Sequence, residues 1–337
     1  MVALRMLDIK YLAPRRSTRS DGYNYKYGCI KNEHAAHNVV IACLPSGMPG
    51  KVSAARVIQP MKQTFPNVRI WLLVGIAGGV PRNPPTKDSL DDIHLGDVVV
   101  GWAEHTGVPS VQEYDLRRHQ GPQNYQSLSI LDKPDFPLLG ALGNLLAGRI
   151  LKDLQLHKHL ARCDEDFGHP GLTNDVLFEA DYRCISKDGD CRDCDPSLRV
   201  ARPSRSTEEL VFHQGTILTG DSVIQCAQER DFLSKKHHDA MAFEMEAAGF
   251  VDLTHGLVIR GISDYADSHK NSLWQNHAAA TAGSFARELL LQIESSLEIV
   301  PPHFRDKTPG TTTEGLIRSS ASKKGSRRSL MGLSERS

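Results

Sequence analysis

Apolar positions along the chain fall into short runs separated by stretches of helical spacing. HNVVIACLP reads as a buried strand ended by a proline, NVRIWLLVGIAGGVP as a second that runs into glycines, and LGDVVVGWA as a third. VFHQGTILTG, AMAFEM and GLVIRGISDYAD read as further strands, and YKYGCI alternates as a strand does. Between them GKVSAARVIQPMKQTF, FPLLGALGNLLAGRILKDL (started by Asp135 or the nearby proline), IQCAQERDFLSKKH, EAAGFVDLT and WQNHAAATAGSFARELLLQIESSL carry helical spacing, as do residues 1–12. Buried strands alternating with helices predict an α/β fold, with three α/β/α layers around a central, mostly parallel mixed sheet. Residues 160–208 are polar and poor in periodicity and read as a loop insertion within one domain spanning 1–300. Residues 301–337 are rich in Ser, Thr, Gly and basic residues and are expected to form a disordered tail.

Composition narrows the function classes. The 337 residues carry no net charge, so nothing electrostatic calls for nucleic acid or an anionic membrane. No apolar run approaches the roughly 20 residues that cross a bilayer. The opening MVALRMLDIKYLAPRR lacks the order of a secretory signal, which makes the cytoplasm the expected location; SKKGSRRS in the tail is a weak nuclear address. The seven scattered cysteines then read as reduced thiols. Cys191 and Cys194 have C-x-x-C spacing with Cys184 and Cys163 nearby, but no second C-x-x-C or H-x-x-x-H follows. That segment reads as a loop rather than a zinc site, and no metal is expected.

In a parallel α/β sheet, chemistry gathers at the carboxyl ends of strands. Three ends carry unusual residues: GIAGG (75–79), EME (244–246) and SDYAD (263–267). Glycines after a strand admit a ligand close to the backbone, or simply form a tight turn. Glu244 and Glu246 point to one side if the backbone stays extended. Otherwise they are one solvated acid and one acid at a helix N-terminus. Asp264 can serve as a general acid, or cap the turn after it.

Taken in order, LLVGIAGGVP, DIHLGDVVVG, TILTGDSVI, FEMEAAG and VIRGISDYAD resemble the purine nucleoside phosphorylase and methylthioadenosine/S-adenosylhomocysteine nucleosidase superfamily, in its fungal-type branch. The resemblance covers about residues 1–297, apart from much of 160–208. It implies a phosphorylase/hydrolase-like fold and cleavage of the N-glycosidic bond of a purine nucleoside or nucleotide. No cofactor beyond water or phosphate as co-substrate is implied, and a homo-oligomer is. It implies that Asp264 protonates N7 of the departing base and that Glu246 binds the ribose hydroxyls. Met245 would lie against the sugar, Ser263 hold the base or the aspartate, and Val223 and Ile224 contact the base. Trp274 would stack near the base, Ala77 and Gly78 line the ligand by backbone, and Glu244 support Glu246 or face outward.

Two departures accompany the resemblance. The glycine loop carries Ile76 where Ser or Thr is usual, which favours hydrolysis over phosphorolysis. The superfamily also opens with a short buried strand and an early polar residue, whereas this chain, opening at VALRMLD, is expected to start after that strand and inside the first helix. A missing inner strand is expected to expose a sheet edge. The alternative expectation is therefore a nucleoside-binding or interaction module whose catalysis is impaired.

Overall fold

Asp8 decides how the chain begins. In the computed structural model its carboxylate accepts the Lys31 N–H at 2.8 Å and both ends of the Arg287 guanidinium at 2.9 Å. Those tertiary bonds override the helical spacing of residues 1–12, which form a short 3₁₀ turn at Val2–Leu4 and then strand β1, Ile9–Tyr11. β2 (Lys26–Lys31) and β3 (Ala36–Ile41) complete an antiparallel sheet in the order β1-β2-β3. β3 is thus a mostly half-buried hairpin strand, not the buried strand its apolar run predicts. The structure describes residues 2–12, 22–102, 107–121, 124–128, 131, 134–186, 191–205 and 209–294. Met1–Glu298 make one compact unit, and the expected tail, 301–337, lies outside the described residues.

The chain continues through α1 (Lys51–Thr64), β4 (Leu72–Gly79), β5 (Val98–Gly101), β6 (Val111–Glu113) and a hairpin of β7 (Arg117–Gly121) and β8 (Asn124–Ser127). Then come α2 (Phe136–Leu151), α3 (Leu156–Leu160), β9 (Phe212–Gly215), β10 (Ile217–Thr219), α4 (Ala227–Lys236) and β11 (Ala242–Glu244). The last elements are α5 (Ala248–Thr254), β12 (Leu257–Asp264) and α6 (Gln275–Leu291). The main sheet is seven-stranded and mixed, in the order β6-β10-β11-β4-β12-β5-β9. Helices cover both faces, giving the expected three layers. Along β12, Val258 and Ile262 join a core with Ala54 and Ile58 of α1 and Phe250 and Val251 of α5. Leu257 and Ile259 join one with Leu138 and Leu145 of α2 and Phe285 and Leu289 of α6. The period of two along a strand sends neighbours to opposite faces.

VFHQGTILTG is two strands, not one. Thr216 alone separates β9, at one end of the hydrogen-bonded order, from β10, next to the other end. In a flat sheet five spacings of about 4.8 Å would part them by roughly 24 Å, far beyond one residue's reach of about 3.5 Å. The sheet therefore curls until its ends meet. Thr216 is pinned there by its hydroxyl, which donates to the Pro109 carbonyl at 2.8 Å.

β4 pairs along its length with β12, but with β11 only at Gly78 and Gly79. Among the described strands none faces the other edge of β4 from Leu72 to Ala77, and Val74 there is 38% exposed.

Candidate active site

Gly78 lies between the two acid-bearing segments. It is in register with Phe243 of β11 on one side and Asp264 of β12 on the other. A register shift between Ile262 and Asp264 sets two β12 residues against the single step from Ala77 to Gly78. Such bulges re-aim side chains. Here the bulge lets the Ser263 hydroxyl reach the Ala77 carbonyl at 3.3 Å and Asp264 Oδ2 at 2.9 Å. Asp264 is buried. Its Oδ1 accepts the Ala266 N–H at 3.0 Å, and its Oδ2 is ion-paired with Lys270 Nζ at 2.9 Å.

β11 runs antiparallel to β4, so its carboxyl end points back along β4 rather than beyond the strand ends. Glu244 and Glu246 arrive beside Arg260, which stands opposite Gly75 in the β12–β4 register. The Arg260 guanidinium contacts Glu244 directly and lies 3.2 Å from Glu246 Oε2. The glutamates divide the work. Glu244 is buried and accepts the N–H groups of Glu246 at 2.9 Å and Ala247 at 3.0 Å, which ties the entry to α5. Its side chain therefore does not face outward. Glu246 is half-buried and accepts the Gly50 N–H at 3.2 Å, at the start of α1. Lys51 comes next, with its ammonium 2.9 Å from Glu113, 3.2 Å from Asp221 and 3.7 Å from Asp115. Burial disfavours that charge, but hydrogen bonds to Glu113 and Asp221 outweigh burial and hold Lys51 protonated above the usual lysine range.

The other predicted residues scatter in environment. Ala77 is buried beneath Ser263. Met245 is half-buried, and Val223 is 55% exposed. Ile224 packs on the cluster of Tyr114, Phe243 and Ala266. The carbonyl of Ile76 accepts from Arg260 Nη1 at 3.5 Å. Trp274 is fully buried: its Nε1–H donates to the Asn174 carbonyl at 3.1 Å, and its ring meets those of His169 and His277. It ties the 160–208 segment to the start of α6.

That segment is built into the domain. Arg202 pairs with Asp175 at 2.8 Å, and both contact the Tyr265 hydroxyl. Arg205 grips Asp97 with two bonds of 2.6 Å, and His213 adds a third contact at 2.8 Å. Asp175 also contacts the His94 ring at 2.6 Å. Residues of the DIHLGD motif and the one after Asp264 are thus held by the segment.

Sequence reasoning missed Arg260, Lys51, Gly50 and Lys270. Arg260 had a signal, a lone charge inside the apolar run LVIRGIS, because buried charges are rare unless paired. The other three come together only through the fold.

No protein-family model matches the chain. It is 33% identical over 309 residues to a nucleotide-binding leucine-rich repeat (NLR)-like protein of Hyaloscypha variabilis. That match takes in 89% of this chain but spans 29% of the relative's length. Among solved structures, the native futalosine hydrolase of Helicobacter pylori superposes with a TM-score of 0.50 at 16% identity, over 86% of this chain and 91% of that one. The H. pylori 5'-methylthioadenosine/S-adenosyl homocysteine nucleosidase, in complex with a pyrrolidinol compound, gives 0.50 at 17% identity over 86% and 91%. This chain therefore shares its α/β/α fold with that hydrolase and that nucleosidase.

Proposed function

We propose that this chain cleaves the N-glycosidic bond of a purine nucleoside or nucleotide, with water as the attacking group. The observation that carries the reading is the placement of Asp264 at the end of β12 and of Glu246 just after β11, the two strands that flank β4, one held by Ser263 and the Ala266 N–H, the other by Arg260 and the Gly50 N–H. In this reaction the bond from the anomeric carbon to N9 breaks and its electron pair goes to the base. Positive charge grows on the sugar and negative charge on the purine. A proton at N7, delivered by Asp264, neutralises the base. Glu246 accepts the ribose hydroxyls and supplies negative charge on the sugar side. The water oxygen bonds to the anomeric carbon and one of its protons leaves to solvent, which keeps the sugar product neutral. Ile76 offers no side-chain hydroxyl to hold phosphate, which supports water over phosphorolysis. The superfamily resemblance supports a homo-oligomer working on small molecules.

A second reading is a nucleoside-binding module without turnover. It is supported by the Lys270–Asp264 ion pair, since every bond at that carboxylate points toward its oxygens and none donates a proton.

The test is base release from a panel of adenine and guanine nucleosides and nucleotides, with and without phosphate. Release without phosphate, reduced about 10²- to 10⁴-fold in Asp264→Asn, is expected. Release only with phosphate would make the chain a phosphorylase. Nucleoside binding by a folded chain with no release would favour the second reading.

A further inference from the structure

The C-x-x-C spacing of Cys191 and Cys194 supplies two donors, and the fold brings in two more. Cys184 Sγ lies 3.6 Å from Cys194 Sγ, and these sulfurs and a ring nitrogen of His269 all lie within 4.8 Å of one another. Two thiolates on a tetrahedral zinc, each about 2.3 Å from the ion, sit about 3.8 Å apart. The Cys191 thiol lies near the sulfurs of both Cys184 and Cys194. Its residue is in the left-handed region, φ 59°, and its carbonyl accepts the Cys194 N–H at 3.2 Å, which closes a tight turn between the two cysteines. Its thiol reaches the His269 carbonyl at 3.9 Å.

His269 supplies the independent observation. It is 7% exposed, and neither ring nitrogen has a hydrogen-bond partner. An imidazole buried in that state loses the bonds it made to water, a cost that native proteins rarely leave standing. The ring is nonetheless oriented with care. Phe178 stacks on it at 4.2 Å and 17°, Tyr182 lies at 5.6 Å and 27°, and Asp267 Oδ2 is 3.7 Å from Nδ1. The backbone around it is also set: the Cys184 N–H donates to Ser268 Oγ at 2.8 Å, and the Asp195 N–H to the Tyr182 hydroxyl at 2.9 Å. No cysteine among the described residues is in a disulfide.

We propose that Cys184, Cys191, Cys194 and His269 form a binding site for one tetrahedral zinc ion. Three thiols and an imidazole are the donor set of a closed, structural zinc site rather than a catalytic one, which keeps an open position. On binding, three thiol protons leave to solvent and the ion takes three sulfur lone pairs and one from nitrogen. Three donors come from the 160–208 segment and the fourth from the loop after Asp264. The ion therefore clamps that segment to the loop carrying Lys270, independently of what reaction the site performs.

The test is the zinc content of the full-length chain, purified without chelator under reducing conditions. One zinc per chain is expected, falling in Cys184→Ser, Cys194→Ser and His269→Asn but not in the control Cys226→Ser, whose cysteine is exposed. A second measurement covers variants that fold poorly. Cobalt(II) added to the apo chain should give a thiolate-to-cobalt charge-transfer band, weakened by about a third in Cys191→Ser, which removes one thiolate of three. Cys191→His, which keeps a ligand, should retain one zinc. Zinc well below one per chain with all thiols reduced and no cobalt band would overturn the proposal. So would a band unchanged in the variants, or a Cys184–Cys194 disulfide in the chain as isolated.

Discussion

Gly78 sits against Asp264: a methyl group built on Gly78 would lie 2.9 Å from Asp264 Oδ1, 2.8 Å from Ala266 Cβ and 3.1 Å from the Ala266 backbone nitrogen. Two of those neighbours belong to a tight turn that cannot swing aside. Gly78→Ala should therefore push β4 and the Asp264 turn apart. The expected cost is about 1–3 kcal/mol of stability. Base release should fall at least about 10-fold, because displacement of an acid by an ångström spoils its alignment. Gly140→Ala on α2, where a methyl group meets nothing within 4 Å, should instead stabilise by about 0.5–1 kcal/mol. Denaturant midpoints and base release on the two variants check this.

The two glutamates at Arg260 should separate into a structural and a functional one. Glu244→Gln removes charge from a side chain that caps the entry to α5, and should lower stability as well as activity. Glu246→Gln, at a half-buried position, should leave the denaturation midpoint close to wild type while raising KM or lowering kcat. Equal stability losses in both would refute the division.

Arg260→Met leaves Glu244 buried without its cation. Breaking a buried pair on one side costs about 3–5 kcal/mol. The double variant Arg260→Met/Glu244→Gln should recover part of that loss, which a double-mutant cycle measures directly.

Acid should weaken the fold in two windows. Burial lowers the His237 imidazole to about 4, helped by the charges of Lys236, His238 and Arg117. Between its ordinary value of about 6.5 and 4, the unfolded chain takes a proton that the folded chain refuses, so stability falls as pH drops through that range, by at most about 3 kcal/mol. His237→Gln should flatten this window. For Asp175, burial alone would raise the carboxyl, but the His94 hydrogen bond and the Arg202 charge outweigh it and hold the carboxyl below the usual range. Its contribution is present above the unfolded value near 4 and is lost only as pH falls further. Asp175→Asn should therefore destabilise at neutral pH and reduce the loss below about pH 4. Denaturation midpoints from pH 3 to 7 test both.

Local pattern determined which segments become strands and helices. Apolar runs of strand length and stretches of helical spacing carry their own periodicity, so β4, β5, β12, α1, α2 and α6 were legible, and the α/β class came from their alternation. The acids were legible too, because Glu244, Glu246 and Asp264 interrupt apolar runs at element ends. What local pattern could not contain is any relation set by distance in space. The opening residues have helical spacing yet become a strand, because Asp8 is bound by Lys31 and Arg287 from far along the chain. VFHQGTILTG looks like one strand, and only closure of the sheet splits it at Thr216. Arg260, Lys51 and Lys270 join the acids through strand register and helix placement, and Cys184 and His269 meet across 85 positions of sequence. Periodicity records which face of an element is buried. Only the packed fold decides which charges and donors that burial brings together.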